Sequence, residues 1–361
     1  MADFAKGGPA RISAVATAVP EFVLRQSDVV ARAAEIFAPG VPDFDRFAPV
    51  YANAGVETRY SCVPIEWYGQ PHSFTERNDL YIEHAMGLLE RVATDLLGRA
   101  ELTTADIDAL VVVSTTGMAT PSLDALLIER MAMRRDVERL PVFGLGCAGG
   151  VSGLARAAQL ALSRPGARVM LLVVELCGLT FQVNDTSKSN LISTALFGDG
   201  AAGALVTCNG EGPAILDWAE HTWPDSLDVM GWSFGEDGLG IQLSRDVPVF
   251  VRDHLPGPAA AFLERNDMTI SDVGRHICHP GGAKVLDALE EVFGLARGEL
   301  TASRAVMRDY GNMSAATALF VLKHTLAEAP AEAPSGRLLM SAMGPGFTAA
   351  FALLDPALDP M

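Results

Sequence analysis

Positive charge is the first thing this chain is short of. Twenty-seven Lys and Arg face 44 Asp and Glu, a formal net charge of −17 over 361 residues. Such a surface repels nucleic-acid phosphates and anionic lipid, and an anionic substrate would need a local basic patch. Cysteine is scarce: Cys62, Cys147, Cys177, Cys208 and Cys278 form an odd, scattered set with no C-x-x-C pair. That excludes a zinc ribbon and reads as a reduced, cytoplasmic protein. The opening "MADFAKGGPARIS" lacks the apolar core of a secretory signal. Apolar runs such as "VMLLVVELC" are too short to span a bilayer. No Ser/Gly/Pro-rich linker divides the chain. What remains is 49% hydrophobic and 20% charged, a globular composition. The length exceeds what one core usually serves, so two domains or one large layered unit are expected.

Strand-like and helix-like runs alternate. "RISAVATAVP" reads as an opening strand, and "DLYIEHAMGLLERVATDLLGRA" as a helix ending at Gly98. "IDALVVVSTT" is a buried strand, "VSGLARAAQLALSRPG" a helix stopped by Pro165-Gly166, and "ARVMLLVVELC" another buried strand. The order argues for an α/β fold. The two halves also echo each other. "TADIDALVVVS" matches "ISDVGRHICHP", with Asp106 opposite Asp272. "GCAGGVS" matches "GNMSAAT", with Cys147 opposite Asn312, and "GDGAAGALV" matches "GPGFTAAFALL", with Gly198 opposite Gly344. Three collinear echoes suggest two copies of one unit, joined near residues 210–215. Helices would then start at Cys147 and at Asn312, with both side chains facing one cleft.

The loop "GLGCAGG" (144–150) supports two readings. Gly144, Gly146 and Gly149 fit the dinucleotide fingerprint, with Glu175 ending the next strand as a ribose-binding acid. Against this, a cysteine is bulk where a backbone must approach phosphate. Alternatively, Cys147 is a nucleophile whose pKa the helix end lowers, with Ala148, Gly149 and Gly150 clearing space for an acyl group. His279, before the turn Pro280-Gly281-Gly282, would complete a thiolate–imidazolium pair. Alternation along the strand puts His276 and Cys278 together on the opposite face. Asn312 fits both an N-cap and a catalytic amide. Phe197 reads as a core residue beside a Gly-Asp-Gly hairpin turn. "MGPGFTAAF" reads as a turn with backbone amides near Gly344 and Gly346.

Taken together, "GLGCAGG", "ALFGDGAAGALV", "ICHPGGAKVL", "YGNMSAATALF" and "MGPGFTAAF" resemble the signatures of type III polyketide synthases, the chalcone synthase-like branch of the thiolase superfamily. The resemblance covers nearly the whole chain in order. It implies a thiolase-like fold, an internally duplicated α/β/α/β/α five-layered sandwich, with halves 1–213 and 214–361 and a homodimeric state. It implies Cys147 as the acyl-accepting nucleophile, His279 and Asn312 as the decarboxylation pair, and Phe197 as gatekeeper. Thr115, Thr180, Trp232, Ile241 and Ser314 would line the cavity. Arg46 and Lys284 are candidates for coenzyme A phosphates, and Gly344 and Gly346 for a loop involved in cyclisation. A starter acyl-CoA and malonyl-CoA would be the substrates, with no cofactor, no metal, no nucleic acid and no membrane insertion. The aliphatic Ile241 and the text "ELCGLTFQVND" point to a bacterial synthase of alkylresorcinols or alkylpyrones. A single-step ketoacyl synthase III-like enzyme and, remotely, a Rossmann oxidoreductase are the alternatives.

Overall fold

A computed structural model describes residues 8–38, 48–235, 238–328 and 336–356. Thirteen strands are described. The N-terminal half holds β1 (Ala10–Ala18), β2 (Phe22–Arg25), β3 (Thr58–Ser61), β4 (Ala109–Val113), β5 (Glu138–Val142), β6 (Val169–Leu176) and β7 (Asp199–Thr207). The C-terminal half holds β8 (Ala214–Thr222), β9 (Met230–Gly235), β10 (Gly238–Leu243), β11 (Val273–Cys278), β12 (Arg337–Gly344) and β13 (Thr348–Asp355). The helices are α1 (Gln26–Phe37), α2 (Ala48–Ala52), α3 (Phe74–Arg99), α4 (Leu123–Arg130), α5 (Gly149–Ser163) and α6 (Lys188–Leu196), then α7 (Val247–His254), α8 (Pro256–Glu264), α9 (Ala283–Val292), α10 (Thr301–Tyr310) and α11 (Thr317–Ala327). No helix among the described residues is long and apolar enough to cross a membrane.

Nine strands form one sheet, β11-β12-β13-β8-β1-β7-β6-β4-β5. It is two sheets meeting at a narrow seam, where β1 pairs β8 only through Ala10–Ile215 and Arg11–Ala214. The halves repeat one pairing scheme. β4–β6 is parallel and β6–β7 and β7–β1 are antiparallel. β11–β12 is parallel and β12–β13 and β13–β8 are antiparallel. Even the turns before β4 and β11 match: Thr103 N–H donates to Asp106 at 2.8 Å, and Thr269 N–H to Asp272 at 2.7 Å.

The layers follow from period-2 burial. On β4 and β6, Val111, Val113, Leu171 and Val173 face one core with α5 and α11. Leu110, Val112, Met170 and Leu172 face another with α3. On the C-terminal sheet, Leu338, Met340 and Ala352 join the first core, while Leu339, Phe351 and Leu353 pack on α8 and α9. The helices α5 and α11 touch each other and strands of both halves. They form the middle of five layers, the thiolase-type duplication.

Two echoes are out of register with the sequence reading. The short helical turn Gly146–Ala148 precedes α5, and Ser314–Ala316 precedes α11. Cys147 therefore corresponds to Ala315, three residues from Asn312. Likewise β7 begins at Asp199 but β13 at Thr348, well past Gly344. Other boundaries shift for local reasons. α3 begins at Phe74 because Ser73 and Glu76 form a capping box, and it runs through Gly98 to Arg99. The expected hairpin at Gly198 is absent: Phe197 caps α6, and β7 follows at once.

Candidate active site

Gly144 (φ +91°) and Gly146 (φ +47°) take left-handed conformations that turn the chain from β5 into α5. The neighbours of the other glycines overturn the idea that they clear space for an acyl group. A Cβ on Gly146 would lie 2.6 Å from Pro345, on Gly149 2.8 Å from Val113, and on Gly150 2.2 Å from the Ala315 carbonyl oxygen. Gly150 lets the two halves touch backbone to backbone, Gly146 admits the Pro345 ring and Gly149 the Val113 side chain. No space is left there for a pyrophosphate, so the dinucleotide reading fails. Glu175 fails it too: it is fully buried and accepts from Thr115 N–H (3.0 Å) and Thr116 Oγ1 (2.9 Å).

Cys147 is buried at the start of α5. Its thiol lies 3.7 Å from Ser314 Oγ and 4.0 Å from Asn312 Oδ1. Burial pushes this thiol up to about 12, and Glu175 adds to the rise. Burial also pushes the His279 imidazole down to about 3. Desolvation thus opposes the expected thiolate–imidazolium pair and favours a neutral thiol and a neutral imidazole. Only the thiolate reacts with alkylating agents. A thiol that titrates near 12 loses its proton in proportion to hydroxide. Site-resolved alkylation of Cys147 by iodoacetamide is therefore expected to climb about tenfold per pH unit between pH 6 and 9. A plateau across that range would mean a pre-formed ion pair.

His279 follows β11; its N–H donates to Ser341 O at 2.8 Å and its carbonyl accepts from Gly281 N–H. Both ring nitrogens are buried without a partner among the described residues. As alternation requires, His276 and Cys278 lie on the other face, where His276 stacks on Phe293. Asn312 is joined to this loop by its Nδ2, 3.5 Å from Gly281 O. Its Oδ1 accepts from Ser314 N–H at 2.8 Å. The Oδ1 bond to Ser314 N–H and a donor role for Nδ2 therefore do not compete, and one Nδ2 hydrogen beyond the Gly281 contact can donate.

Phe197 pairs with Asn312 as an isolated bridge: Asn312 N–H donates to Leu196 O (2.9 Å) and Gly198 N–H to Asn312 O (3.0 Å). A cavity of about 480 Å³ opens beside Cys147. Thr115, Thr180, Trp232, Ile241 and Ser314 line it as expected, with Phe197 and Pro345. His279 and Asn312 are not among its lining residues. Gly344 and Gly346 flank Pro345, and a Cβ on Gly344 would meet Leu145 O at 2.2 Å, so this loop seats directly on the cysteine loop. Phe197 and Cys177 are shared with a second, apolar cavity of about 610 Å³ bounded by α1 residues Val29, Ala33, Ile36 and Phe37. Sequence reasoning did not find Cys177, Thr116 or the second cavity. Lys284 is exposed on the first turn of α9 and borders neither cavity. Arg46 lies outside the described residues.

A buried thiol beside an asparagine, between duplicated halves with paired central helices, is the arrangement of a thiolase-type condensing enzyme. The relatives narrow the class. Residues 1–210 match the model for the N-terminal domain of chalcone and stilbene synthases, and residues 214–355 the model for the C-terminal domain. The chain is 39% identical over 350 residues to a 1,3,6,8-tetrahydroxynaphthalene synthase of Streptomyces peucetius, covering 95% of this chain and 92% of that protein. It is 36% identical over 360 residues to a putative chalcone synthase of Bacillus subtilis, covering 95% and 98%. The solved 1,3,6,8-tetrahydroxynaphthalene synthase of Streptomyces coelicolor superposes with a TM-score of 0.91 at 29% identity, covering 95% of this chain and 98% of that one. The chain belongs to the chalcone and stilbene synthase family, the type III polyketide synthases. It is an acyltransferase of the condensing kind, in a family that uses acyl-CoA and malonyl-CoA.

Proposed function

We propose that Cys147 accepts the starter acyl group and that His279 and Asn312 drive extension by malonyl-CoA. The Cys147 sulfur attacks the starter thioester carbonyl as its proton passes to His279 Nε2. Coenzyme A leaves as its thiolate and takes a proton from solvent, so His279 Nε2 keeps its proton and the acyl group stays as a Cys147 thioester. His279 Nε2–H and the Asn312 amide next donate to the thioester oxygen of malonyl-CoA. Loss of CO₂ leaves an enolate whose charge those donors stabilise. The enolate carbon forms the new bond to the Cys147-bound carbonyl, and the Cys147 sulfur departs. Reloading of the product permits another round. The sequence balances without a redox cofactor or a metal. Phe197 supplies an apolar wall that disfavours the malonyl carboxylate. The observation that carries this reading is the orientation of Asn312: Oδ1 accepts from Ser314 N–H, and Nδ2 has a hydrogen to donate besides the one on Gly281 O.

The product we favour is an alkylresorcinol or alkylpyrone built on a fatty acyl starter. Ile241, Met230 and Leu243 give the cavity an aliphatic side, and the apolar cavity beyond Phe197 and Cys177 offers volume for an alkyl tail. The 39% identity to a tetrahydroxynaphthalene synthase favours a second reading, an unalkylated aromatic product. Purified enzyme given malonyl-CoA with a panel of starters separates them by product mass. Long acyl-CoA starters are expected to give extended products, whereas turnover of acetyl-, malonyl- or aryl-CoA alone would remove the alkyl reading. We further propose a cytoplasmic homodimer with coenzyme A phosphates held near Lys284 and Arg46, and halves meeting near residue 213.

A further inference from the structure

We infer that Arg59, which has no part in the proposed chemistry, is the positioning residue that keeps Phe197 and Asn312 in register. Arg59 lies on β3 and is 3% exposed. Its guanidinium makes no ion pair with a carboxylate among the described residues. Instead Nη1 donates to Thr194 O (2.7 Å) and Phe197 O (3.0 Å), and Nη2 donates to Ala195 O (2.9 Å) and Gln26 Oε1. The three carbonyls are the last turn and cap of α6. A helix end leaves its final carbonyls without intrahelical donors and carries the negative end of the dipole. A planar fork of N–H groups satisfies several at once, which a lysine cannot do. Gln26 braces the assembly, donating from Nε2 to Tyr51 O (3.0 Å) and Ala195 O (3.2 Å).

The clamped segment is the one that carries Phe197 and pairs with Asn312. Leu196 O and Gly198 N–H exchange hydrogen bonds with the Asn312 backbone. There is no slack between them. A Cβ on Gly198 would lie 2.6 Å from Tyr310 O and 3.1 Å from Arg59 Cβ, and one on Gly311 2.8 Å from Leu196 O. Arg59 also borders the apolar cavity behind Phe197. Burying a cation this deeply is costly, and an apolar residue of similar volume usually stabilises a core as well. A guanidinium aimed at three carbonyls beside the cavity fixes a geometry. With the clamp removed, the Phe197 ring loses its fixed place as a wall of the cavity that holds Cys147.

This inference rests on the proposed roles of Phe197 and Asn312, and the test separates the two claims. Arg59→Lys keeps the charge without the fork, Arg59→Met removes both, and each is made alone and with Phe197→Ala. Should Arg59→Met not fold, Arg59→Lys and Gln26→Leu carry the test. Site-resolved iodoacetamide labelling of Cys147 in the full chain is expected to quicken about tenfold in the Arg59 variants, with no further gain on adding Phe197→Ala. Condensation with malonyl-CoA is expected to fall by a similar factor. A folded Arg59 variant with lower Tm but wild-type labelling and turnover would overturn the inference. So would effects that simply add to those of Phe197→Ala. If the wild-type enzyme condensed nothing, the functional reading would fail while the labelling comparison still decided the clamp.

Discussion

Cys147→Ala is expected to lower polyketide formation about ten-thousand-fold or more, while decarboxylation of malonyl-CoA continues at a measurable rate. Extension needs a covalent acyl group held where the enolate forms, and Cys147 is the thiol facing Ser314 and Asn312. Decarboxylation needs only the oxyanion donors, which the substitution leaves in place. The cavity does contain a second thiol. Cys177 lines it, and burial and the nearby Glu175 push both thiols up, so position decides between them. Cys177 starts the turn after β6, away from the first turn of α5. Cys177→Ala is therefore expected to retain condensation. If Cys147→Ala kept turnover within about tenfold of wild type, the proposed nucleophile would be wrong.

The second large effect is at Asn312. Asn312→Asp changes one atom's chemistry in a site that is 2% exposed. A carboxylate oxygen still accepts from Ser314 N–H, so the turn that leads into Ser314–Ala316 keeps this bond. What is lost is the Nδ2 donor, replaced by an acceptor facing the place where negative charge develops. Losing one preorganised donor of this kind costs about a hundred- to a thousand-fold in turnover. The added charge also opposes deprotonation of Cys147, 4.0 Å away. Steady-state condensation and malonyl-CoA decarboxylation should fall together, with circular dichroism unchanged. If condensation alone fell, Asn312 would act in acyl transfer and not in enolate formation. If neither fell, its role would be to hold the turn at Ser314.

Much of this architecture is legible in the chain because it rests on local pattern. The apolar run of β4 and the near-continuous one of β6, broken only at Glu175, mark strands covered on both faces. Period-2 alternation correctly separates His279 from His276 and Cys278. The duplication is also legible, but not its register. A short helical turn precedes each central helix, and nothing in Gly-Ala-rich text marks where that turn ends and the helix begins. The glycines of "GLGCAGG" were legible as necessary and not for their reason, because the atoms that crowd them belong to Val113, Ala315 and Pro345. The protonation state of Cys147 was illegible for a related cause. Helix position is local, whereas burial depends on what the second half places over the thiol. Glu175 and Arg59 are the extreme case. Each is the single charged residue of its strand, and Arg59 finds its carbonyl partners about 135 residues further along.

The most direct test of the account is the mass of the intact protein after brief exposure to a fatty acyl-CoA without malonyl-CoA. Wild-type protein should gain the mass of one acyl group, lost again on adding malonyl-CoA, with peptide mapping placing it on Cys147. Cys147→Ala should gain nothing. An acyl group found on Cys177, or on no residue while extended product still forms, would contradict the assignment of Cys147 as the loading site.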